Sequence, residues 1–401
     1  MTQRFPVSRR TVPRRIVLGT LAAAALMPVL PVAAAAAASL RDACRALGIR
    51  HGAARDHLID PEDPALDALM ARECDVVVPE NGGKWGVLQP QPGRFDWGRF
   101  DRAVELARSI GAAPVWHTVL WQTESMPDYM KRPADGPVTG EAARTLSPQG
   151  TLSPDNQWQR FADHVAAVKG RYGDVFYRID VANEVFFWET ADSHPQDQDR
   201  WGFRRGLWWQ VGGGDRGPDW LDPYFHHMRR EFPSAKLVIN EFGIELDEGW
   251  QQRKRAYLLE WLSGAVRRGV PLDGVGLQSH LIGGKPYDRD GMRAFYRAVD
   301  RLGLPIHITE MDVDETRLPQ SWSRDDKDRL LAGLAGDYLS DALANATVAE
   351  VTWWHLRSDL NFIARQYPDL KPHPSPYDAG GNRLPLYDAA LRALARPGRR
   401  A

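Results

Sequence analysis

The sequence predicts a single (β/α)8 barrel, and three observations lead to that prediction. Short apolar runs typical of buried parallel strands alternate with amphipathic helical stretches along the chain. Eight such strand–helix units over roughly 360 residues match the size of a barrel with long loops. No Pro/Ser-rich linker interrupts the series, and no internal repeat of about 20 to 50 residues is present. We therefore expect one domain over residues 39–398.

Each element follows from its hydrophobic periodicity. Runs that are apolar on both faces predict strands of a parallel sheet, and apolar residues three and four positions apart predict helices. The predicted strands are 48–53, 75–80, 113–118, 176–183, 237–242, 273–280, 305–312 and 350–356. The clearest helical stretches between them are 99–110, 158–171, 252–268 and 326–343. Residues 201–220 hold four Trp around three consecutive Gly, and we expect a loop that shapes the barrel rim.

The first 38 residues have the anatomy of an export signal. Five Arg and no acidic residue precede the uncharged run from Ile16 to Leu40, which includes the small-residue tract 33–38. Ser8–Arg10 resembles a twin-arginine signal of bacteria. We expect a cleaved signal over residues 1–38 and an exported protein, periplasmic or secreted. An uncleaved membrane anchor is the alternative, which Pro28 and Pro31 disfavour.

Charge and cysteine content exclude several classes of protein. The formal net charge of −1 becomes −6 once the five Arg of the signal are left out, which argues against a nucleic-acid-binding surface. Cys44 and Cys74 are too few for a disulfide scaffold or a cysteine-based metal site. Whether they pair after export or remain buried thiols is open at this stage. No motif implies a cofactor or an obligate protein partner.

Polar side chains gather at the C-terminal ends of the predicted strands. In a (β/α)8 barrel these ends converge on one open face, where active sites are built. The polar and aromatic residues at these ends are Glu80, Asn81, Lys84, His117, Asn183, Glu184, Asn240, Glu241, Gln278, His280, Glu310, Asp312, Trp354 and His355. Each of them alone could cap a helix or lie exposed, but charged residues at six consecutive strand ends indicate one shared site.

Two carboxylates that face each other across an aromatic cleft suit glycoside hydrolysis. One protonates the leaving oxygen, and the other attacks the anomeric carbon or activates water. The 15 Trp fit sugar stacking, although most of them must pack in the core. A metal hydrolase that draws on His117, Glu184 and His280 is the chemical alternative. The sequence has no HExxH, HxxEH or Cys/His cluster, and no G-x-S-x-G nucleophile elbow.

Five short segments at the strand ends carry a resemblance to a known family. They are 79–81 with Lys84 and Trp85, 115–117, 180–184, 273–280 and 308–312. In this order they resemble the motifs of glycoside hydrolase family 10, the endo-1,4-β-xylanases. The resemblance extends from about residue 45 to Leu394.

The resemblance implies a retaining double displacement, with Glu184 as the general acid/base and Glu310 as the nucleophile. Such a reaction needs the two carboxyl groups roughly 5–5.5 Å apart, Glu184 protonated and Glu310 ionised. The implied substrate is a polysaccharide, xylan or xylo-oligosaccharides, and no metal is implied. The implied sugar contacts are Glu80, Asn81, Lys84, His117, Trp121, Asn183, Gln278, His280, Trp354 and Phe362, with Asp312 and Glu241 as supporting residues.

The chain departs from the family pattern around the cleft. Trp121 stands where the family has Pro, Gly243 where it has the last Asn of N-D-Y-N, His355 where it has Gly, and Phe362 where it has Trp. None of these residues is one of the two carboxylates, so we expect the reaction to be kept and the sugar preference to be affected. The alternatives are a related barrel glycosidase for another β-linked glycan or short xylo-oligosaccharides, and a sugar-binding protein without turnover.

Overall fold

Eight parallel strands close into a barrel in the computed structural model, which describes residues 39–56, 62–122, 126–127, 130, 154–189 and 198–395. The strands, in chain order, are β1 Arg50–Arg55, β2 Val76–Pro79, β3 Ala113–Trp116, β4 Leu120–Trp121, β5 Arg178–Asn183, β6 Lys236–Glu241, β7 Gly274–Leu277, β8 His280–Ile282, β9 Ile306–Asp314 and β10 Val348–Trp353. The barrel order is β10-β1-β2-β3-β5-β6-β7-β9, and pairing of β9 with β10 closes it. The short strands β4 and β8 pair in parallel with the C-terminal ends of β5 and β9, respectively. The prediction of a (β/α)8 barrel is confirmed.

Helices surround the barrel and connect its strands. The described α-helices are Leu40–Ala46, Pro64–Glu73, Trp85–Leu88, Gly98–Ser109, Pro154–Tyr172, Leu207–Val211, Asp222–Glu231, Gly249–Arg268, Arg289–Arg301, Arg324–Asn345, Phe362–Gln366 and Pro385–Ala395. Short 3-10 turns lie at Ser358–Leu360 and Pro368–Leu370. The helices Arg324–Asn345 and Pro385–Ala395 pack against each other across a broad contact.

Helix boundaries follow from capping side chains. Ser39 Oγ accepts from the backbone N–H of Asp42 at 3.0 Å, and Ser323 caps the helix Arg324–Asn345 in the same way. Asp288 caps Arg289–Arg301 through the N–H of Gly291 at 3.0 Å. Gly269, at φ 71°, ends the long helix Gly249–Arg268 in the left-handed conformation that glycine adopts without steric cost.

The inside of the barrel holds an ion cluster as well as apolar side chains. Arg178 on β5 donates to both carboxylate oxygens of Glu350 on β10, at 3.0 and 3.2 Å. Because β5 and β10 are not neighbours in the barrel order, this pair crosses the interior. His307 Nδ1 lies 3.1 Å from Glu350, and Arg178 also contacts Asp180 two residues along its own strand. All four side chains are buried.

Each of the eight predicted strands overlaps one strand of the barrel, and the four predicted helices match Gly98–Ser109, Pro154–Tyr172, Gly249–Arg268 and Arg324–Asn345. The prediction of a rim loop at 201–220 is wrong in part, because residues Leu207–Val211 form a helix. Trp208 and Trp220 are buried in the core there. A side chain at Gly214 would collide with the ring of Trp209, so this glycine is needed for packing.

Cys44 and Cys74 are buried free thiols in the structure. None of the described helices is long and apolar enough to cross a membrane. The predicted signal, residues 1–38, lies outside the described residues, as do residues 396–398 at the predicted end of the domain.

Candidate active site

A continuous chain of side-chain amides connects Glu184 and Glu310 at the C-terminal mouth of the barrel. Asn240 Nδ2 donates to Glu310 Oε1 at 2.7 Å and to Asn183 Oδ1 at 2.8 Å. Gln278 Nε2 donates to Asn183 Oδ1 at 3.2 Å and to Glu184 Oε1 at 3.1 Å. The two carboxylates therefore belong to one site, as the convergence of the strand ends predicts.

The orientation of the Asn240 amide is fixed from behind. Thr309 Oγ1 donates to Asn240 Oδ1 at 2.7 Å, so the amide nitrogen must face Glu310 and Asn183. A Cβ atom on Gly276 would collide with the same amide oxygen, so only glycine leaves room for it. The sequence places Asn240 at a strand end but assigns it no role, and the structure shows that it contacts Glu310 directly.

Glu310 is surrounded by positively charged or chargeable groups. His280 Nε2 lies 3.5 Å from Glu310 Oε2, and His117 Nδ1 lies 3.9 Å from Oε1. Burial alone would raise the pKa of Glu310, but His117, His280 and Lys84 outweigh burial and hold the pKa below its ordinary value. The surroundings of Glu310 thus favour an ionised carboxylate.

Asp312 contacts His280 and holds its imidazole beside Glu310. His280 Nδ1 lies 2.9 Å from Asp312 Oδ1, and Asn361 Nδ2 donates to the other oxygen, Oδ2, at 3.0 Å. Burial opposes a charge on the imidazole, but Asp312 and Glu310 outweigh it and raise the pKa of His280 well above its ordinary value. Asn361, which the sequence reading missed, also donates to the backbone carbonyl of Trp354 at 2.6 Å.

Glu184 directly follows β5 and lies at the open side of the site. Its backbone has φ 53°, in the left-handed region that non-glycine residues adopt at a cost. Trp121 Nε1 donates to Glu184 Oε2 at 3.0 Å, while Gln278 donates to Oε1. Both carboxylate oxygens therefore have donors from the protein.

Buried Glu241 supports the chain that follows Glu184. Its Oε1 accepts from the backbone N–H groups of Val185 and Phe186, at 2.6 and 3.1 Å. Its Oε2 lies 2.8 Å from Lys254 Nζ, in an ion pair that is fully buried. Glu241 thus holds the backbone that directly follows Glu184.

His117 is tied to the ion cluster inside the barrel. Its Nδ1 lies 2.8 Å from Asp180 Oδ2, and the other oxygen of Asp180 contacts Arg178. This contact orients the imidazole of His117 beside Glu310. The ring of Trp354 lies edge-on to His117, with the centroids 5.4 Å apart.

Lys84 and Asn81, two of the residues predicted at the end of β2, have hydrogen-bond partners within the protein. Lys84 Nζ donates to Asn81 Oδ1 at 2.9 Å and lies 4.6 Å from the ring centre of Trp121. Asn81 Nδ2 donates to Asp56 Oδ2 at 2.7 Å. These contacts orient Lys84 and Asn81 at the mouth of the barrel beside Trp121.

Both carboxylate oxygens of Glu80 have side-chain partners, which the sequence does not reveal. His355 Nε2 lies 2.8 Å from Glu80 Oε2, and Arg365 donates to Oε1 at 2.6 Å and to Oε2 at 3.2 Å. Burial alone would raise the pKa of Glu80, but His355 and Arg365 outweigh it and hold the pKa far below its ordinary value. His355 has φ 81°, a conformation that favours glycine, which explains why a glycine fits this position elsewhere in the family pattern.

The aromatic wall of the site is formed by Trp354 and Phe362. The ring of Phe362 lies edge-on to His280 with centroids 5.6 Å apart, and Trp354 lies edge-on to the same imidazole at 6.5 Å. A cavity of about 490 Å³ opens beside this wall. It is lined by Glu184, Trp188, Glu189, Phe242, Gly243, Trp250, Gln251, Gln278, His280, Leu281, Ile282, Asp312, Asp314, Arg317, Phe362, Ile363, Gln366 and Tyr367.

The metal alternative finds no support in this geometry. Within the described ranges, no three His, Cys, Asp or Glu side chains are arranged to hold a metal ion. His117, Glu184 and His280 therefore do not form a common ligand set. His117 and His280 instead flank Glu310 as hydrogen-bonding and charged neighbours.

The protein is a (β/α)8 barrel whose mouth holds two carboxylates. One lies among positively charged or chargeable side chains, and the other lies on the open side of the cleft. These features define the class of protein. It is a glycoside hydrolase of the two-carboxylate type.

Comparison with known proteins identifies the family. The family model described as glycosyl hydrolase family 10 matches residues 39–393, and the chain belongs to this family. The chain is 26% identical over 377 residues to endo-1,4-beta-xylanase 1 of Humicola insolens, covering 92% of this chain and 77% of that protein. It is 29% identical over 316 residues to endo-1,4-beta-xylanase A of Halalkalibacterium halodurans, covering 75% and 72% of the two chains.

Solved structures show the same fold. The crystal structure of xylanase 10B from Thermotoga petrophila RKU-1, in complex with xylobiose, superimposes with a TM-score of 0.72. The two chains are 22% identical, and the match covers 89% of this chain and 97% of that one.

Proposed function

We propose that this glycoside hydrolase is a retaining endo-1,4-β-xylanase that cleaves the backbone of xylan. The amide chain from Glu310 through Asn240, Asn183 and Gln278 to Glu184 carries the proposal, because it couples two carboxylates in different environments. Its family and the xylanases among its relatives support the choice of substrate.

In the first step, Glu310 attacks the anomeric carbon while Glu184 gives its proton to the glycosidic oxygen. The bond to the leaving sugar breaks, and a covalent glycosyl ester forms on Glu310. In the second step, Glu184 takes a proton from water, the water oxygen attacks the same carbon, and Glu310 leaves as a carboxylate. Two inversions restore the original configuration.

The surroundings of the two carboxylates suit these different tasks. His280 and His117 stabilise the negative charge of Glu310 before the attack. The hydrogen bond from Asn240, at 2.7 Å, holds one oxygen of Glu310 so that the other can face the sugar. Glu184 lines the open cavity, where a leaving sugar and then a water molecule can reach it.

Export is part of the proposal. A polymer such as xylan is too large to cross a membrane unaided, so export would bring the enzyme to the intact polymer. The signal-like order of residues 1–38 supports this location.

The central test is the release of reducing sugars from purified β-1,4-xylan, with Glu310→Ala beside the unchanged protein. Release should vanish in the variant while its circular dichroism and melting temperature are preserved. Glu105→Ala, at an exposed position on the helix Gly98–Ser109, is the matched control and should keep full activity. Substantial release by Glu310→Ala would remove Glu310 as the nucleophile.

Stereochemistry gives a second, independent readout. NMR of the first products should show the β-anomer, which then mutarotates. An α-anomer as the first product would contradict double displacement.

A related glycosidase for another β-linked glycan is the second candidate. The contacts of His355 and Arg365 with Glu80 favour this second candidate. Both carboxylate oxygens of Glu80, which could accept hydrogen bonds from sugar hydroxyls, already have partners in the protein. A panel of xylan, β-glucan and mannan decides between the two. Faster cleavage of xylan than of the other polymers removes the second candidate.

A further inference from the structure

The 490 Å³ cavity is lined by Glu184, Gln278 and His280 of the active site and, beyond them, by the rings of Trp188, Trp250 and Tyr367. Glu184, the proposed proton donor to the leaving sugar, lines it. The family resemblance implies that Glu80, Lys84, His117 and Gln278 contact the glycone, the part of the substrate that stays on Glu310. Of these, only Gln278 lines the cavity. The part of the cavity around Trp250 is therefore assigned to the leaving-group side. The volume lies within the range of roughly 300–1,000 Å³ that is typical of small-ligand sites.

The ring of Trp250 lies against Gly243, where the family pattern has Asn and this protein has no side chain. Gly243 has φ 65°, and a Cβ atom there would lie 2.6 Å from Cη2 and 3.0 Å from Cζ3 of Trp250. A side chain at this position would therefore push the indole away. Gly243 is the residue that admits the Trp250 ring to the site.

The indole of Trp250 is held in one orientation before any ligand binds. Its Nε1 donates to Glu248 Oε2 at 3.0 Å, and the other oxygen of Glu248 pairs with Lys285. Trp250 lies in the first turn of the helix Gly249–Arg268, so its backbone is also fixed. The ring remains partly exposed toward the cavity.

Further rings line the same cavity. Trp188 packs edge-on against Phe242 with centroids 5.8 Å apart, and the guanidinium of Arg204 lies 4.0 Å from the Trp188 ring centre. Tyr367 contributes another ring. Flat apolar faces with polar groups at their edges suit pyranose rings, which have apolar C–H faces and hydroxyl edges.

We propose that Trp250 is a stacking platform for a neutral pyranose of the leaving group, at the place that Gly243 opens. The inference rests on the proposed function and deepens it, because it assigns part of the substrate specificity to a residue pair of this chain. Trp250 then strengthens binding of substrates that extend past the cleaved bond and contributes nothing to substrates that end there.

The test compares two substrates in the Trp250→Ala variant. With xylohexaose, which extends past the cleaved bond, kcat/KM should fall about five- to tenfold, the size expected for one lost stacking contact. With an aryl β-xylobioside, whose leaving group is a single phenol, kcat/KM should change by less than about twofold. Trp250→Phe, which keeps an apolar ring, should recover most of the loss.

Two further variants separate stacking from a general effect on the fold. Trp322→Ala, at an exposed Trp that does not line the cavity, should leave both substrates unaffected. Gly243→Asn should reproduce the xylohexaose loss, because Asn tolerates the left-handed conformation and displaces the indole. Equal losses on both substrates in Trp250→Ala, or no loss on either, would overturn the inference.

The unchanged protein distinguishes failure of the inference from failure of the function. If it cleaves xylan and Trp250→Ala cleaves xylohexaose equally well, the platform is wrong and the function stands. If it cleaves neither xylan nor xylohexaose, the proposed function is wrong and the inference falls with it.

Discussion

Asn240 Nδ2 lies 2.7 Å from Glu310 Oε1, so the nucleophile of the proposed reaction, on β9, accepts a hydrogen bond from a residue of β6, across the intervening strand β7. The same nitrogen donates to Asn183, which in turn accepts from Gln278 beside Glu184. The relative position of the two carboxylates is therefore set by neutral amides. These hydrogen bonds orient both carboxylates without placing a further cation between them.

Loss of the Asn240 amide should weaken catalysis without unfolding the barrel. Hydrogen bonds to charged groups are worth about 1.5–3 kcal/mol, so Asn240→Ala should lower kcat/KM about 10- to 100-fold. Steady-state kinetics on an aryl β-xylobioside measures this change, with the melting temperature as a check of folding. Asn345→Ala, at the end of the helix Arg324–Asn345, is the control for an amide outside the site. Full activity of Asn240→Ala would show that the amide does not orient Glu310.

The pH profile should depend on His280. Its positive charge helps to hold the pKa of Glu310 below the ordinary value, and Glu310 must be ionised to attack. In His280→Gln that charge is lost, so the pKa of Glu310 rises and activity fails at a higher pH on the acidic side. The acidic limb of kcat/KM against pH reports this shift. The exposed His226 provides the control His226→Gln, and an unmoved acidic limb in His280→Gln would contradict the role of His280.

Much of the fold could be predicted from the sequence because buried parallel strands leave a strong local pattern. The apolar runs within the predicted strands 75–80 and 273–280 favour strands buried on both faces, and residues 76–79 and 274–277 form such strands. The helix Leu207–Val211 was not predicted, because Gly and Trp around it are typical of a loop. Contacts from distant residues stabilise it: Trp208 packs in the core beside Trp220, and Gln122 accepts from the backbone N–H of Trp209 at 3.3 Å.

The site could be predicted as a set of residues but not as a set of contacts. The end of each strand indicates which polar residues share the barrel mouth, and this places Glu184, Gln278 and Glu310 together. The donors to Glu80 come from the distant segment that carries His355 and Arg365, and no spacing rule connects them. Asn361, likewise, reaches Asp312 only through the fold.

The ion cluster inside the barrel should make the protein sensitive to acid. Burial alone would raise the pKa of Glu350, but Arg178, His307 and Thr352 outweigh it and lower the pKa to about 2, from 4.5. A depressed folded-state pKa contributes stability above pH 4.5, and this contribution is lost as the pH falls toward 2. Chemical unfolding at several pH values should show the loss, and Glu350→Gln should flatten this part of the curve.

Removal of one partner from that cluster should be costly at neutral pH. Arg178→Met leaves Glu350 and Asp180 buried without their shared cation, and breaking a buried pair costs about 3–5 kcal/mol. Urea unfolding at pH 7 measures the free energy. Arg329→Met, which breaks an exposed pair with Asp326, should have a much smaller effect, because solvent screens exposed ion pairs. Similar small costs for both variants would show that the interior cluster does not stabilise the barrel.

Chelation should not affect the enzyme. Within the part of the chain that the structure describes, no cluster of His, Cys, Asp or Glu is arranged to hold a metal ion. The proposed reaction uses two carboxylates and water. Xylan hydrolysis after dialysis against EDTA should therefore equal the untreated rate. A loss that zinc or magnesium restores would support the metal-hydrolase alternative instead.

His355→Gly should destabilise the protein, although the backbone at this position has a left-handed conformation that suits glycine. The left-handed backbone at φ 81° costs a non-glycine residue about 1–2 kcal/mol, which the substitution relieves. Glycine also gives the unfolded chain more conformational freedom, which lowers the stability of the folded protein by roughly 0.4–1 kcal/mol. The substitution also removes the 2.8 Å hydrogen bond to buried Glu80, worth about 1.5–3 kcal/mol for a charged partner. The lost hydrogen bond outweighs the relief, so urea unfolding should show a net loss of about 1–2 kcal/mol.

His355→Asn is the control, because Asn tolerates the left-handed region and keeps a polar side chain. Its free energy of unfolding should lie between those of His355→Gly and the unchanged protein. If His355→Gly proves more stable than the unchanged protein, the contact with Glu80 contributes less than the backbone strain.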